Sequence, residues 1–268
     1  MWHIQKDIFG AYEEQKMKDA LDELGVFRCD CVGEQVVNPP TGAWSNDEGP
    51  AVFRGSVEFV QLMRHKYINV FKKIAPIGVT EERYDCTRYY SHWLDSMLNQ
   101  DHFFVPWSVL SMYADQYFAW LDCDKLFIRP NSGKKIFTGN YITKKWWERD
   151  LASIESLPGN NPTGDDLVLV SCHKGIVSEY RVMMHLDKVI SYSFYSGNEM
   201  NQLSEEKITS YCEPAAWGAE YFPDDYYTID LALLQDGTIK VLELNSLFAA
   251  GWYDADYKKI IQHVEKHL

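Results

Sequence analysis

Apolar positions along the chain follow two periods, and the switches between them mark out the elements. Residues 2–8 read as a first strand. Residues 11–24 read as a helix, because Met17, Leu21 and Leu24 recur at helical spacing, and Gly25 follows as a C-terminal cap. Residues 38–50 are punctuated by Pro, Gly, Asn and Asp and predict a loop. A short strand over 51–53 and a helix over 57–66 come next, with Gly55-Ser56 opening the helix. This order of strands and helices predicts a small α/β lobe. An apolar, aromatic stretch over 107–121 predicts another helix.

Past a division near 122–125 the pattern changes. Residues 126–129 are a short apolar strand that turns at Pro130-Asn131-Ser132-Gly133, and 134–138 lead away. Residues 143–151 predict a helix opened by Thr143, and 160–166 a loop. Residues 167–170 form a wholly apolar run, the mark of a strand buried on both faces. Two hairpins are predicted. One joins 177–184 to 188–195 through Leu186-Asp187, the other joins 226–233 to 240–244 through Asp236-Gly237. Between them a helix starts at Glu205 and is expected to break at Pro214. A last helix covers 256–268. The chain holds no internal repeat and no low-complexity tract.

Composition narrows the class. The 268 residues predict about two domains or lobes and a core that needs no staples. Hydrophobic residues make up 46% and aromatic residues 15%, so the chain is globular and many rings must line cores or clefts. Lysine and arginine number 26 against 39 acidic residues, a net charge of −13, which argues against nucleic acid as a charge-driven partner. No apolar run is long enough for a membrane span, and residues 1–10 are too polar for a signal peptide, so a cytoplasmic protein is expected. The six cysteines are expected to be free thiols there, since Cys29-x-Cys31 and four scattered others lack zinc-ligand spacing.

Three segments carry polar residues that are costly to bury. In the first, the strand ending at Arg129 runs into a Gly/Ser turn and then Lys134 and Lys135. Backbone amides of such a turn can form an anion nest, and the cations add charge. In the second, Glu179 and Arg181 share one face of a strand, two residues apart. In the third, Asp230 and Glu243 sit in apolar surroundings on the two strands of a hairpin, and Asn245 shares a face with Glu243. Two carboxylates brought together repel unless a cation lies between them, and three converging oxygen donors suit Mg²⁺. Each segment also has a plain reading as a solvated strand or turn. Taken together they are the equipment of ATP-dependent phosphoryl transfer.

These residues identify a resemblance. Arg129-Pro130-Asn131-Ser132-Gly133 with Lys135, Phe137-Thr138-Gly139, Glu179-Tyr180-Arg181, and Asp230 with Glu243-Leu244-Asn245 resemble the ATP-grasp superfamily, in the clade named for two arginines and a lysine. Phe53-Arg54-Gly55-Ser56 and Phe104-Val105-Pro106 extend the likeness upstream. The resemblance implies an ATP-grasp fold of two α+β lobes gripping ATP, preceded by a small Rossmann-like α/β domain. The expected division is 1–122 for the first domain and 123–268 for the ATP-grasp domain, with a central lobe of about 123–170 and a C-terminal lobe of about 171–268. The implied cofactors are ATP and Mg²⁺. Arg129, Ser132, Lys134 and Lys135 would contact phosphates, the choice between the two lysines staying open. Val170, Ser171 and Cys172 would form the hinge against adenine, mainly through backbone groups. Arg181 and Lys135 would act in catalysis, with Arg181 also facing the phosphates and Glu179 a ribose or cation contact. Asp230, Glu243 and Asn245 match the magnesium ligands.

The implied activity is a carboxylate–amine ligase that phosphorylates a carboxylate and then transfers the acyl group to an amine. A small-molecule or peptide carboxylate and an amine are its expected partners, no membrane is, and a homodimer is a further expectation. Two other readings stay open: a kinase on the same fold, and an inactive nucleotide-binding scaffold. Trp146-Trp147, Trp252-Tyr253, Ser246, Phe248 and Gly251 are further candidates for a substrate cleft, and His173 for a nucleotide contact.

Overall fold

The computed structural model describes residues 1–33, 35–36, 50–71, 73–76, 81–133, 136–198 and 202–268. Most of the expected loop over 38–50 lies outside these residues, as do Lys134 and Lys135.

The first layer is a mostly parallel sheet. Its strands are β1 (Trp2–Gln5), β2 (Arg28–Val32), β3 (Gln35–Val36), β4 (Ala51–Arg54) and β5 (Ile74–Ala75), in the order β3-β2-β1-β4-β5. Helix α1 (Gly10–Leu24) makes the crossover from β1 to β2, and α2 (Val57–Tyr67) that from β4 to β5. Gly25 ends α1 at φ 65°, in the left-handed region that glycine enters freely. Ser56 caps α2, its hydroxyl accepting from the Phe59 amide at 3.1 Å. The first strand is shorter than the pattern over 2–8 suggests, because Lys6 and Asp7 already turn, with Asp7 at φ 63°. Strand β2 has no apolar run to announce it. Its inward positions are Cys29 and Cys31, both fully buried and acting as small apolar residues.

Helix α3 (Cys86–Trp93) leads to a second sheet built from β6 (Phe103–Pro106), β7 (Lys125–Pro130), β8 (Asn140–Thr143) and β9 (Leu167–Cys172). Its order is β6-β9-β7-β8, every pair antiparallel. Helices α4 (Trp107–Trp120) and α5 (Trp147–Ser156) cover one face through Leu110, Phe118, Leu151 and Ile154. Thr143 does not open a helix, as expected above, but ends β8. Its amide and hydroxyl both donate to Asp150 Oδ2, at 2.9 and 2.7 Å, so the first turn of α5 reaches back to the strand.

The third sheet holds β10 (Ile176–His185), β11 (Lys188–Gly197), β12 (Tyr226–Leu234) and β13 (Ile239–Ser246) in the order β11-β10-β12-β13, all antiparallel. Helix α6 (Glu205–Ala219) and α3 share a core with one face, through Ile208, Cys212, Tyr89 and Trp93. Pro214 does not break α6. It faces solvent, as does Ser210 four residues earlier, whose carbonyl loses its helical donor there. The closing helix α7 (Tyr257–His267) inserts Ile260, Ile261 and Val264 into a core that also holds Trp2 and Met17 of the first layer and Met183 and Ile190 of the third sheet.

Candidate active site

Strand register builds the centre. Arg181 on β10 lies opposite Asp230 on β12, and Asp230 lies opposite Glu243 on β13. Three neighbouring strands thus set a cation and two carboxylates in one row. Both ends of the Arg181 fork engage Asp230, Nε to Oδ1 and Nη2 to Oδ2, each at 2.7 Å. Its third nitrogen, Nη1, donates to the Gly251 carbonyl at 3.1 Å. Asn245 Nδ2 donates to Glu243 Oε1 at 2.9 Å and reaches Asp230 Oδ2 at 3.4 Å. From the second sheet, Arg129 Nη2 meets Glu243 Oε2 at 2.7 Å. Arg129, Arg181, Asp230, Glu243 and Asn245 are therefore brought together.

Burial sets the electrostatics. It pushes the Asp230 carboxyl up, Arg181 offsets part of this and Glu243 adds to it, leaving the group at about 6. Burial also opposes the charge on Arg181, but the Asp230 carboxylate outweighs it and holds the guanidinium above its ordinary value. The donor set fits a hard cation. Two carboxylates converge, and a half-turn of the Asn245 amide exchanges the donor Nδ2 for the acceptor Oδ1.

The remaining candidates separate. Glu179 lies outside the acid row and accepts from the Tyr195 hydroxyl at 2.7 Å. Tyr195 stacks on Tyr253 with centroids 4.9 Å apart, and both rings stand beside the Arg181 guanidinium. Ser132 is half-buried in the turn after β7, next to Asn131, whose Oδ1 takes the Thr87 amide. Val170 and Ser171 are fully buried in the middle strand β9, so their side chains face no cavity. Cys172 donates to the Leu121 carbonyl, and burial pushes its thiol up to about 12.

Two cavities flank the acid row. One, of about 270 Å³, lies between the second and third sheets and is lined by Phe127, Tyr141, His173, Lys174, Ile176 and Leu242 among others. The other, of about 360 Å³, is lined by Ser56, Glu58, Tyr84, Gly133, Ser246 and Tyr253 among others, and shares Arg181 and Asn245 with the row. Leu242 faces the first and Asn245 the second, with Glu243 between them along β13. His173, the candidate nucleotide contact, lines the first cavity together with Lys174, just after β9. Ser246, Gly251 and Tyr253 line the second cavity, whereas Phe248 and Trp252 are buried in the core and Trp146 stands exposed at the start of α5.

The floor of the second cavity depends on Arg54, which the sequence marked only as part of a motif. Arg54 is buried, donates to the Leu247 and Ala250 carbonyls at 3.2 and 3.0 Å, and lies 4.0 Å from the Phe9 ring centroid and 4.1 Å from that of Trp252. Glu13 of α1 sits 3.6 Å from it and takes the Trp252 amide at 2.8 Å. An Arg-Gly-Ser strand end was the sole sequence signal for this clasp, and Glu13 gave none.

Two antiparallel sheets that close on a row of arginines and acids, behind a mostly parallel α/β layer, define the ATP-grasp fold. The chain belongs to the ATP-grasp domain family that is the second of the clade named for two arginines and a lysine, whose pattern matches residues 111–263. Solved structures share the fold. D-cycloserine synthetase DcsG superposes with a TM-score of 0.64 at 12% identity, over 99% of each chain. The ATP-grasp ligase PsnB, complexed with minimal precursor, gives 0.59 at 12% identity over 100% of this chain and 99% of that one. D-alanyl-alanine synthetase A from Vibrio cholerae gives 0.59 at 14% identity, over 98% and 92%. No curated protein matches the chain in sequence. Among the described residues no helix is long and apolar enough to cross a membrane.

Proposed function

We propose that this chain is an ATP-dependent carboxylate–amine ligase. The observation that carries the reading is the convergence of Arg129, Arg181, Asp230, Glu243 and Asn245 between two cavities. The cavity beside Leu242 and Phe127 takes adenine between apolar walls, with the chain after Cys172 supplying backbone groups. Arg129 and Arg181 bind the phosphates, as do Ser132 and the lysine pair Lys134-Lys135. Asp230, Glu243 and Asn245 would hold Mg²⁺, which when bound neutralises phosphate charge. The mostly parallel layer of β1–β5 would form the preceding domain and the two antiparallel sheets the gripping pair of lobes, joined by the clasp of Arg54. Because β6 and α4 belong to the second sheet, this division falls before Phe103 and not at the expected 122.

The carboxylate substrate lies in the second cavity, beside Arg181 and Asn245. Its oxygen attacks the γ-phosphorus, ADP departs, and the acylphosphate stays beside the guanidinium. An amine then attacks the acyl carbon, inorganic phosphate leaves, and the nitrogen gives up its proton. Arg181 stabilises the charge that develops on the transferred group, since its fork is already fixed by Asp230 and Gly251. DcsG, PsnB and the D-alanyl-alanine synthetase are named as synthetases or ligases, which agrees with bond formation on this fold.

The test is thermal unfolding with ADP, with and without Mg²⁺, followed by ADP release from ATP with sets of carboxylates and amines. A ligand at about 100 times its Kd stabilises by roughly 2.7 kcal/mol. The expected result is a magnesium-dependent rise in Tm that Glu243→Gln weakens, and ADP release that needs both a carboxylate and an amine. Absence of any nucleotide effect on well-folded protein overturns the reading. A phosphorylated product formed without amine replaces the ligase by a kinase.

A further inference from the structure

Beyond Arg181, where β10 ends, three histidines meet. His185 closes the strand, while His263 and His267 lie one helical turn apart on α7 and so share a face. Their ligand nitrogens all lie within 4.8 Å of one another. His263 Nε2 and His185 Nδ1 are 3.0 Å apart, and the His263 and His267 ring centroids 4.2 Å. We propose that His185, His263 and His267 form a separate binding site for a borderline divalent transition metal such as Zn²⁺, which ties α7 to the β10–β11 hairpin.

The chemistry of the donors separates this site from the acid row. Imidazole nitrogens select zinc-like ions, whereas magnesium takes oxygen. Around zinc at about 2.0–2.1 Å, tetrahedral nitrogens lie about 3.4 Å apart, so the cluster needs only side-chain adjustment to close on an ion. Three protein ligands leave one position open to solvent or to an exogenous ligand. Two further contacts hold the rings in place. His185 stacks on Tyr226 at 4.5 Å with planes 9° apart, and His267 Nδ1 pairs with the His263 carbonyl at 2.8 Å, which leaves its Nε2 for a metal.

Protonation agrees with the geometry. Burial, with the neighbouring histidines, pushes His263 down to about 4 and His185 below its ordinary value, so both rings are neutral at pH 7. Only one proton lies between the facing nitrogens of a neutral pair. One tautomer shift, moving that proton to the far nitrogen of its ring, turns both lone pairs toward the gap with no net proton release. The carbonyl end of α7 also favours positive charge at this point.

The experiment titrates tag-free, chelator-stripped protein with Zn²⁺ by calorimetry, checks metal content after dialysis, and records the Co²⁺ absorption spectrum. The expected result is one ion per chain, not displaced by millimolar Mg²⁺. A rise in Tm of roughly 5 °C is expected at 100 times the Kd. Affinity should fall at least tenfold in His263→Gln and in His267→Gln, and the Co²⁺ spectrum should report nitrogen coordination of low symmetry. His267 is exposed in the last turn, so its variant decides the matter if the other fails to fold. Absence of tight Zn²⁺ binding overturns the proposal. So does binding of equal strength in His267→Gln, or a Co²⁺ spectrum with thiolate charge transfer, which would place the ion on cysteines.

Discussion

Arg129 of the second sheet and Glu243 of the third meet at 2.7 Å, and this pair joins the two sheets across the cleft where we place the phosphates. Removing one member of a buried pair leaves the other uncompensated, which costs far more than removing both. Arg129→Ala is therefore expected to weaken Mg-ADP binding at least tenfold by calorimetry and to lower Tm by several degrees. Arg129→Lys should recover little of either, because an ammonium cannot reproduce the planar fork. Equal nucleotide affinity in both variants and the parent would remove Arg129 from the phosphate site.

The Asp230 carboxyl, raised to about 6 by burial with Glu243 beside it, predicts a pH dependence. Its folded value lies above the ordinary 3.8, so between about pH 4 and pH 6 the folded chain holds a proton that the unfolded chain releases. Metal-free stability from this group thus falls as pH rises through that window. A cation binds the ionised form and runs the other way, so Mg²⁺ affinity should drop about tenfold from pH 7 to pH 5. Calorimetry of Mg-ADP at both values checks this, and Asp230→Asn should flatten the profile.

Most of this site is legible in the sequence because strand alternation and hairpin turns fix which side chains meet. Asp236-Gly237 sets the register that brings Asp230 opposite Glu243, and the period of two puts Asn245 beside it. What cannot be read there depends on contacts between distant segments. Arg54 and Glu13 lie in different elements and meet only after α1 packs on the first sheet. The burial of Val170 and Ser171 could not be read either, since an apolar run shows a buried strand but not where its side chains stop facing the core. Strand β2 escapes the pattern because its inward residues are cysteines.

Gly55 tests the close packing at the end of β4. A Cβ there would lie 2.5 Å from Phe59 Cδ1 and 2.6 Å from Gln5 Cβ, and the Gly55 amide already donates to the Phe248 carbonyl at 3.0 Å. Gly55→Ala must push α2 or β1 aside. A loss of about 1–3 kcal/mol is expected from such overpacking, measured by urea unfolding. An unchanged midpoint would show that Gln5 and Phe59 move away freely.

Arg54 carries the strongest prediction outside the acid row. Its side chain touches α1 through Glu13, the loop after β13 through Leu247 and Ala250, and the ring of Trp252. Arg54→Met keeps the volume but strands the Glu13 carboxylate, for a loss of about 3–5 kcal/mol, or roughly 5–9 °C in Tm. The same loop supplies the Gly251 carbonyl that holds Arg181, so its release should also reach the chemistry. At a temperature where the variant is fully folded, we expect kcat to fall while nucleotide affinity in the other cavity stays within a few-fold. The double variant Arg54→Met with Glu13→Gln should regain part of the stability, because no charge is left alone, yet none of the activity, because the loop contacts are still gone. Recovery of both together would mean that the Glu13 charge, and not the placement of Gly251, limits the reaction.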